Sequence, residues 1–432
     1  RVGHGKRSAP AEGSEGQTLS MKTLVIIGSV WPEPSSSAAG ARMLQLIRLL
    51  RPRFDSVVFA CAAEPGAGCA PLNEYDVETA RIRLNCNSFD QWLARLSPDA
   101  VLYDRFMTEE QFGWRVAQTC PEALRLLDTE DLHSLRGARE QLLKEQLTEA
   151  RAQGGRDDCG PVLASAELLY RRMAVSDLAQ RELAAIYRCD LSLIISEFEM
   201  QLLEAQFRFP PDLLHSLPLL AQPLAGPGPG FEQRRDFISI GNFRHPPNWD
   251  SVLWLKERIW PALRARLPRA ELHLYGAYTP PKAQALDNPK TGFRIKGWAP
   301  DVNDVMAGAR VCLAPLRFGA GLKGKLLDAM RCATPSVTTD LGAEGMAPAA
   351  RWPGRVANRA EDVVKAAVEL YTRRDLWYGA QARTRPLLAE RFAESAHEGP
   401  LGESLSAVSK HLDERRNRNF VGRLLHHQQH RS

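Results

Sequence analysis

The chain of 432 residues exceeds one ordinary hydrophobic core, and two domains of roughly 200 residues each are expected. Hydrophobic residues make up 44% and charged residues 25%, an ordinary balance for a soluble globular protein. The 56 basic and 51 acidic residues leave a net charge of +5, which gives no reason to expect nucleic acid as a partner.

The chain opens on Arg1, and Met21 is read as the start, because 22–30 already reads as a strand. The polar lead, 1–20, is expected to be disordered. Thr-Leu-Val-Ile-Ile-Gly-Ser-Val at 23–30 is the continuous run of a strand buried on both faces. A Pro/Ser turn follows, then a helix from Ala38 with Met43, Leu46, Ile47 and Leu50 on one stripe. Strands are predicted at 56–60, 82–84, 100–103, 124–127 and 191–195. Thr108 opens a capping-box spelling, and long helical patterns run to about Arg188, broken by a polar loop at 153–160. This alternation implies a parallel, doubly wound sheet.

A Pro/Gly-rich stretch, 222–230, reads as a linker. Beyond it, strands are predicted at 237–240, 272–275 and 293–296, and helices run from Glu361 onward, ending in a basic, His-rich tail with His426 and His427 at the surface. No apolar run approaches the roughly 18 residues of a transmembrane helix; the nearest, 213–224, is broken by His215, Pro218 and Pro223. The eight cysteines form no Cys-x-x-Cys pair and no tight His/Cys cluster, which suits a reducing, cytoplasmic compartment and offers no zinc site.

The richest stretch is 311–344. An apolar run ends at Pro315, a glycine turn (Gly319, Gly321) follows, then a helical pattern with Leu326, Leu327 and Met330, then a β-rich run at 336–339. In such a unit ligands bind at the carboxyl ends of strands, and the helix amino end favours anions. Lys323 and Lys325 sit in the first turn, where cations oppose the helix dipole unless an anion is bound.

Gly-Ala-Gly-Leu-Lys-Gly-Lys-Leu-Leu-Asp-Ala-Met (319–330), followed by Thr-Pro-Ser-Val-Thr-Thr and Gly-Ala-Glu-Gly, resembles the donor-site signature of group-1, family-4-like glycosyltransferases. The resemblance spans most of 22–390 and is densest in 237–346. It implies the GT-B architecture, an α/β fold of two facing Rossmann-like doubly wound domains with a cleft between them. The expected division is a lead at 1–20, an acceptor-side domain at 21–221, a linker at 222–232, a donor-side domain at 233–390, and terminal helices with a basic tail at 391–432. It also implies transfer of a hexosyl group from a nucleotide-sugar, retaining and metal-independent, to an acceptor that is a glycan, a lipid-linked sugar or a small molecule. No cofactor is expected beyond the nucleotide-sugar co-substrate. Peripheral membrane contact stays open. A non-hydrolysing nucleotide-sugar epimerase and a non-catalytic nucleotide-sugar-binding protein remain alternatives.

By the same resemblance, Arg244, Gly319, Gly321, Lys323 and Lys325 receive the diphosphate, with both lysines also serving catalysis by steadying the leaving group. Asp328 takes the ribose; its plain reading is an ion pair with Lys325. Many relatives carry two glutamates eight positions apart; here Ala320 holds the first place, and in a subset of the family the 319–321 backbone takes over. Asp131, His133 and Arg136 face the cleft, His133 beside the donor sugar or acceptor, although Asp131 also reads as a helix cap. Gly28 and Glu344 are placed on the acceptor or sugar side. Asn248 stands where relatives hold a lysine and reads as a cap, Trp298 as a base contact or packing residue, and Ser196 to Glu199 as a capping box. No Asp-x-Asp motif is present for a metal.

Overall fold

The computed structural model describes residues 21–154, 159–226 and 228–429. The lead at 1–20 and part of the 153–160 loop therefore lie outside the described residues. Two parallel sheets are formed. The first comprises β1 (Met21–Gly28), β2 (Phe54–Cys61), β3 (Glu78–Arg81), β4 (Ala100–Asp104), β5 (Leu124–Asp128), β6 (Leu191–Ile194) and β7 (Leu214–Ser216), in the order β3-β2-β1-β4-β5-β6-β7. The second comprises β8 (Arg235–Ile240), β9 (Leu272–Tyr275), β10 (Phe293–Gly297), β11 (Ala309–Ala314), β12 (Ser336–Thr338) and β13 (Gly354–Val356), in the order β10-β9-β8-β11-β12-β13.

The β1 run explains why the first sheet is covered on both faces. Val25 and Ile27 enter one core and Leu24 and Ile26 the other, all four fully buried. Each such side chain contributes about 2 kcal/mol. In the second sheet Phe237, Val311 and Leu313 face one core while Ile238 and Cys312 face its reverse. Strand order reverses between β1 and β4 and again between β8 and β11, so each domain opens a crevice at the carboxyl ends of those strands.

Several local expectations are corrected. The strand expected at 82–84 lies at Glu78–Arg81, paired with β2, although Ile82 still buries its side chain. The helix after β4 begins at Arg105, so Thr108 lies inside its first turn and bonds back to the Asp104 carbonyl at 2.8 Å instead of capping. The helices that run from Glu361 onward divide between the two domains. Ala360–Thr372 covers the second sheet through Val363, Val364, Ala367 and Leu370. Only from Glu394 does the chain recross, where Glu394–Lys410 adds Leu401, Leu405 and Val408 to the core beneath β1.

The tail is also anchored. Arg416 pairs with Asp190 at 2.7 Å, and His426 Nε2 lies 3.0 Å from both the Arg188 carbonyl oxygen and the Arg125 guanidinium. Burial lowers the His426 pKa to about 4, so it is a neutral, packed imidazole and not a surface one. The Pro/Gly stretch is tied down at its start. Leu224 N donates to the Arg331 carbonyl at 3.1 Å, and Arg385 reaches the Gly226 carbonyl.

Candidate functional site

The turn after β11 leads into the helix Gly324–Arg331. Gly321 adopts φ 61°, a left-handed conformation, and a Cβ there would lie 2.8 Å from Asp131 Cβ of the first domain. Glycine is needed on both counts. Lys323 is the N-cap residue and is almost fully buried; its Nζ donates to the Gly321 carbonyl at 2.7 Å and to that of Ala320 at 3.4 Å. Burial lowers its pKa, against the attraction of Glu344, Glu199 and Asp131.

Lys325, two residues on, has a different environment. Its Nζ donates to Asn248 Oδ1 at 2.8 Å, and among the described residues it pairs with no carboxylate. Burial lowers its pKa to about 8. Lys325 is half-buried, and an ammonium so placed and held by a neutral amide oxygen is poorly compensated, a lack that an anion would make good.

The turn after β8 supplies the other wall. Asn248 lies within the helix Pro246–Trp254, whose N-cap is His245. Asn248 is therefore not the expected cap. Its Nδ2 donates to the Asn242 carbonyl at 3.1 Å while its Oδ1 holds Lys325, so it splices the two turns together. A Cβ on Gly241 would meet Asn248 Nδ2 at 2.6 Å and Lys325 Nζ at 3.0 Å. Arg244 is exposed, with its guanidinium 4.2 Å above the Tyr278 ring, and Tyr278 donates to Glu33 of the first domain. Asp328 pairs with Arg331 at 3.5 Å, not with Lys325, and burial raises its pKa to about 6.

From the first domain, Asp131 pairs with Arg136 and lies 3.5 Å from His133 Nε2. Although burial pushes the other way, Arg136, His133 and His245 hold its carboxyl below the usual range. Asp131 does not cap the helix His133–Ala152; Glu182 does, accepting from His133 N at 2.8 Å and Ser134 N at 3.1 Å. Burial lowers the His133 pKa to about 4, outweighing Asp131, and its ring stands edge-on to Phe106. A Cβ on Gly28 would collide with the Phe59 ring at 2.2 Å, so this glycine serves packing.

The capping-box reading of Ser196 to Glu199 is overturned. The Ser196 side chain caps nothing, and the fully buried Glu199 reaches across the cleft, its Oε1 accepting from Gly321 N at 2.8 Å and from Leu132 N at 3.1 Å. Arg139 crosses as well, donating to the Gly319 carbonyl at 2.9 Å and forming a two-pronged pair with Glu344 at 2.8 and 2.7 Å. Ala320 packs into the core of the first domain. Trp298, half exposed, donates to the Ser35 carbonyl at 3.1 Å. Glu199 was read from the sequence as a cap alone, and Arg139 and His245 were not singled out; His245 faces Asp131, Arg136 and Lys325, with its pKa lowered by burial to about 4.

Among the described residues no three His, Cys, Asp or Glu side chains are grouped to hold a metal, and no helix is long and apolar enough to cross a membrane.

Residues 234–373 match the family model described as glycosyl transferases group 1. No curated protein sequence matches the chain. Among solved structures, Alr3699/HepE of Anabaena in complex with UDP-glucose is 12% identical, with a TM-score of 0.60 over 89% of this chain and 99% of that one. WaaG, a glycosyltransferase involved in lipopolysaccharide biosynthesis, is 13% identical, with a TM-score of 0.55 over 85% and 95%. The lipopolysaccharide outer core galactosyltransferase WaaB in its apo form is 13% identical, with a TM-score of 0.54 over 89% and 99%. These likenesses show the fold: two facing Rossmann-like α/β domains, the GT-B architecture.

Proposed function

We propose that the chain is a glycosyltransferase that moves a sugar, in our reading a hexosyl group, from a nucleotide-sugar to a hydroxyl-bearing acceptor. The observation that supports this most is Lys325, a half-buried lysine whose Nζ bonds, among the described residues, only the Asn248 amide oxygen, beside the amino end of the helix Gly324–Arg331. The match of residues 234–373 to group-1 glycosyl transferases points the same way. In this reading Lys325, Arg244 and the helix amino end receive the diphosphate, and Asp328 the ribose. Lys323 acts indirectly, by holding the 319–321 turn. The acceptor enters beside Asp131 and His133, against the second-domain turn.

The bond between the anomeric carbon and the phosphate oxygen breaks, and its electron pair passes to the diphosphate. Lys325 meets that growing charge, so its contact strengthens in the transition state. The acceptor oxygen bonds to the anomeric carbon, and its proton passes to the departing diphosphate. His133, neutral and packed on Phe106, borders this site without a proton to give at neutral pH. Fixed cations replace a metal in the reading.

UDP-, GDP- and ADP-sugars, tried with and without candidate acceptors, test it. Release of nucleoside diphosphate that requires an acceptor is expected, and it persists in excess EDTA. Donor isomerisation without acceptor indicates an epimerase instead; binding without turnover indicates a binding protein. Lys325→Ala is expected to lower kcat about a hundredfold, on the order of 3 kcal/mol, while folding normally.

A further inference from the structure

We infer that Glu199 and Arg139 are positioning residues through which the first domain shapes the 319–321 turn of the second, so that the turn takes its working form only while the cleft is closed. Three polar groups of that turn are held by hydrogen bonds shorter than 3.0 Å. Gly319 O accepts from Arg139 Nη1 at 2.9 Å, Gly321 N donates to Glu199 Oε1 at 2.8 Å, and Gly321 O accepts from Lys323 Nζ at 2.7 Å. Two of the three partners belong to the other domain.

The Glu199 geometry is hard to account for as packing or capping. One oxygen receives backbone N–H groups from both domains, Leu132 and Gly321, while Oε2 is buried with no partner among the described residues. Ser196 Oγ, which a capping box would use, is also buried without a partner among the described residues. A carboxyl group buried this deeply is costly, and burial raises its pKa to about 8. What the cost secures is a fixed amide at Gly321, a residue in the left-handed region with Asp131 pressed against it. Arg139 is similarly committed, since Glu344 fixes its plane and leaves Nη1 aimed at the Gly319 carbonyl.

Opening the cleft removes both first-domain partners at once. Among the described residues, Lys323 is then the side chain still bonded to the turn, and none of them bonds the Gly319 carbonyl or the Gly321 amide. Any ligand that needs the turn in its closed shape binds the closed chain more tightly, and by linkage promotes closure. The consequence for donor affinity rests on the nucleotide-sugar reading above; the clamp does not.

The test compares Glu199→Ala, Glu199→Gln and Lys325→Ala by hydrogen exchange over 319–324 and 130–134, with binding of UDP, GDP and ADP measured alongside. Glu199→Ala is expected to lose protection at Gly321 and Leu132 and to weaken nucleoside diphosphate binding about tenfold, within the usual range of such couplings. Glu199→Gln keeps an oxygen acceptor in place and is expected to restore both. Lys325→Ala is expected to lose nucleotide affinity while keeping the Gly321 protection. Unchanged Gly321 protection in Glu199→Ala, or a Gln variant no better than Ala, overturns the clamp. If Glu199→Ala does not fold, Arg139→Gln takes its place, and full protection of the turn there overturns the inference equally. Should the wild-type chain bind no nucleoside diphosphate, the functional reading fails while the exchange result still decides the clamp.

Discussion

At Lys325 the charge state decides what the site can hold. Its pKa falls to about 8 through burial, against about 10.5 in the unfolded chain. Below pH 8 the ammonium is charged in both states and its full burial penalty applies; the penalty fades as pH rises from about 8 to 10.5. Anion binding runs the other way, because only the ammonium attracts a diphosphate. Burial raises the Asp328 pKa to about 6, and its carboxylate, with two acceptor oxygens and a charge, holds ribose hydroxyls more strongly than the protonated acid does. Nucleoside diphosphate affinity is therefore expected to be bell-shaped, falling below about pH 6 and above about pH 8. Calorimetry across pH 5–10 checks this, and Lys325→Arg is expected to remove the alkaline limb; an unchanged limb would argue against Lys325 as the anion's partner. The signature 319–330 drew attention to this region because its glycines and lysines stand close in sequence. Asn248 and Glu199 were misread because each spells a local cap, whereas their actual partners, Lys325 and Gly321, lie 77 and 122 positions away. Local spelling records only local hydrogen bonds.

Elements whose cause is local were legible, and those fixed from a distance were not. The β1 run is apolar at every position from Leu24 to Ile27 because both faces are covered, and the sequence shows this directly. The helix starting at His133 is different, since its opening amides are satisfied by Glu182 from another helix, a partner no capping rule can find. A buried ion pair joins elements in the same hidden way. Arg42, on the helix Ala38–Leu50, is fully buried against Asp128 at the end of β5, with a 3.0 Å contact, and also donates to the Pro218 carbonyl at 2.6 Å. Removing one charge strands the other in the core, which costs about 3–5 kcal/mol. Asp128→Asn is therefore expected to lower unfolding stability in urea by about that much. A loss below 1 kcal/mol would show that the pair is not uncompensated when broken.

Across the whole molecule the chain passes between domains twice, and the two passages touch: Ala221 N donates to the Phe392 carbonyl at 2.9 Å. The second passage delivers Leu401, Leu405 and Val408 to the first-domain core, so the domains are joined at one edge by packed structure. On the cleft side the connections are largely polar, namely Tyr278 with Glu33, Trp298 with Ser35, the two-pronged Arg139–Glu344 pair, and Glu199 with Gly321, with Ala320 packed beside them. Contacts of this kind at a domain interface favour relative motion about the packed edge. The Lys325–Asn248 contact lies within the second domain and does not depend on closure; what couples closure to a ligand is the 319–321 turn, held from the first domain by Arg139 and Glu199. The free chain is accordingly expected to sample open forms and to contract on binding, with the doubly crossed edge as the pivot. Small-angle scattering with and without a saturating nucleoside diphosphate measures this directly. A smaller radius of gyration in the bound state is expected for the wild type, with less contraction for Arg139→Gln, which lacks the Glu344 pair. A radius unchanged at saturation would mean that the closed cleft is the resting state and that ligands enter it without domain motion.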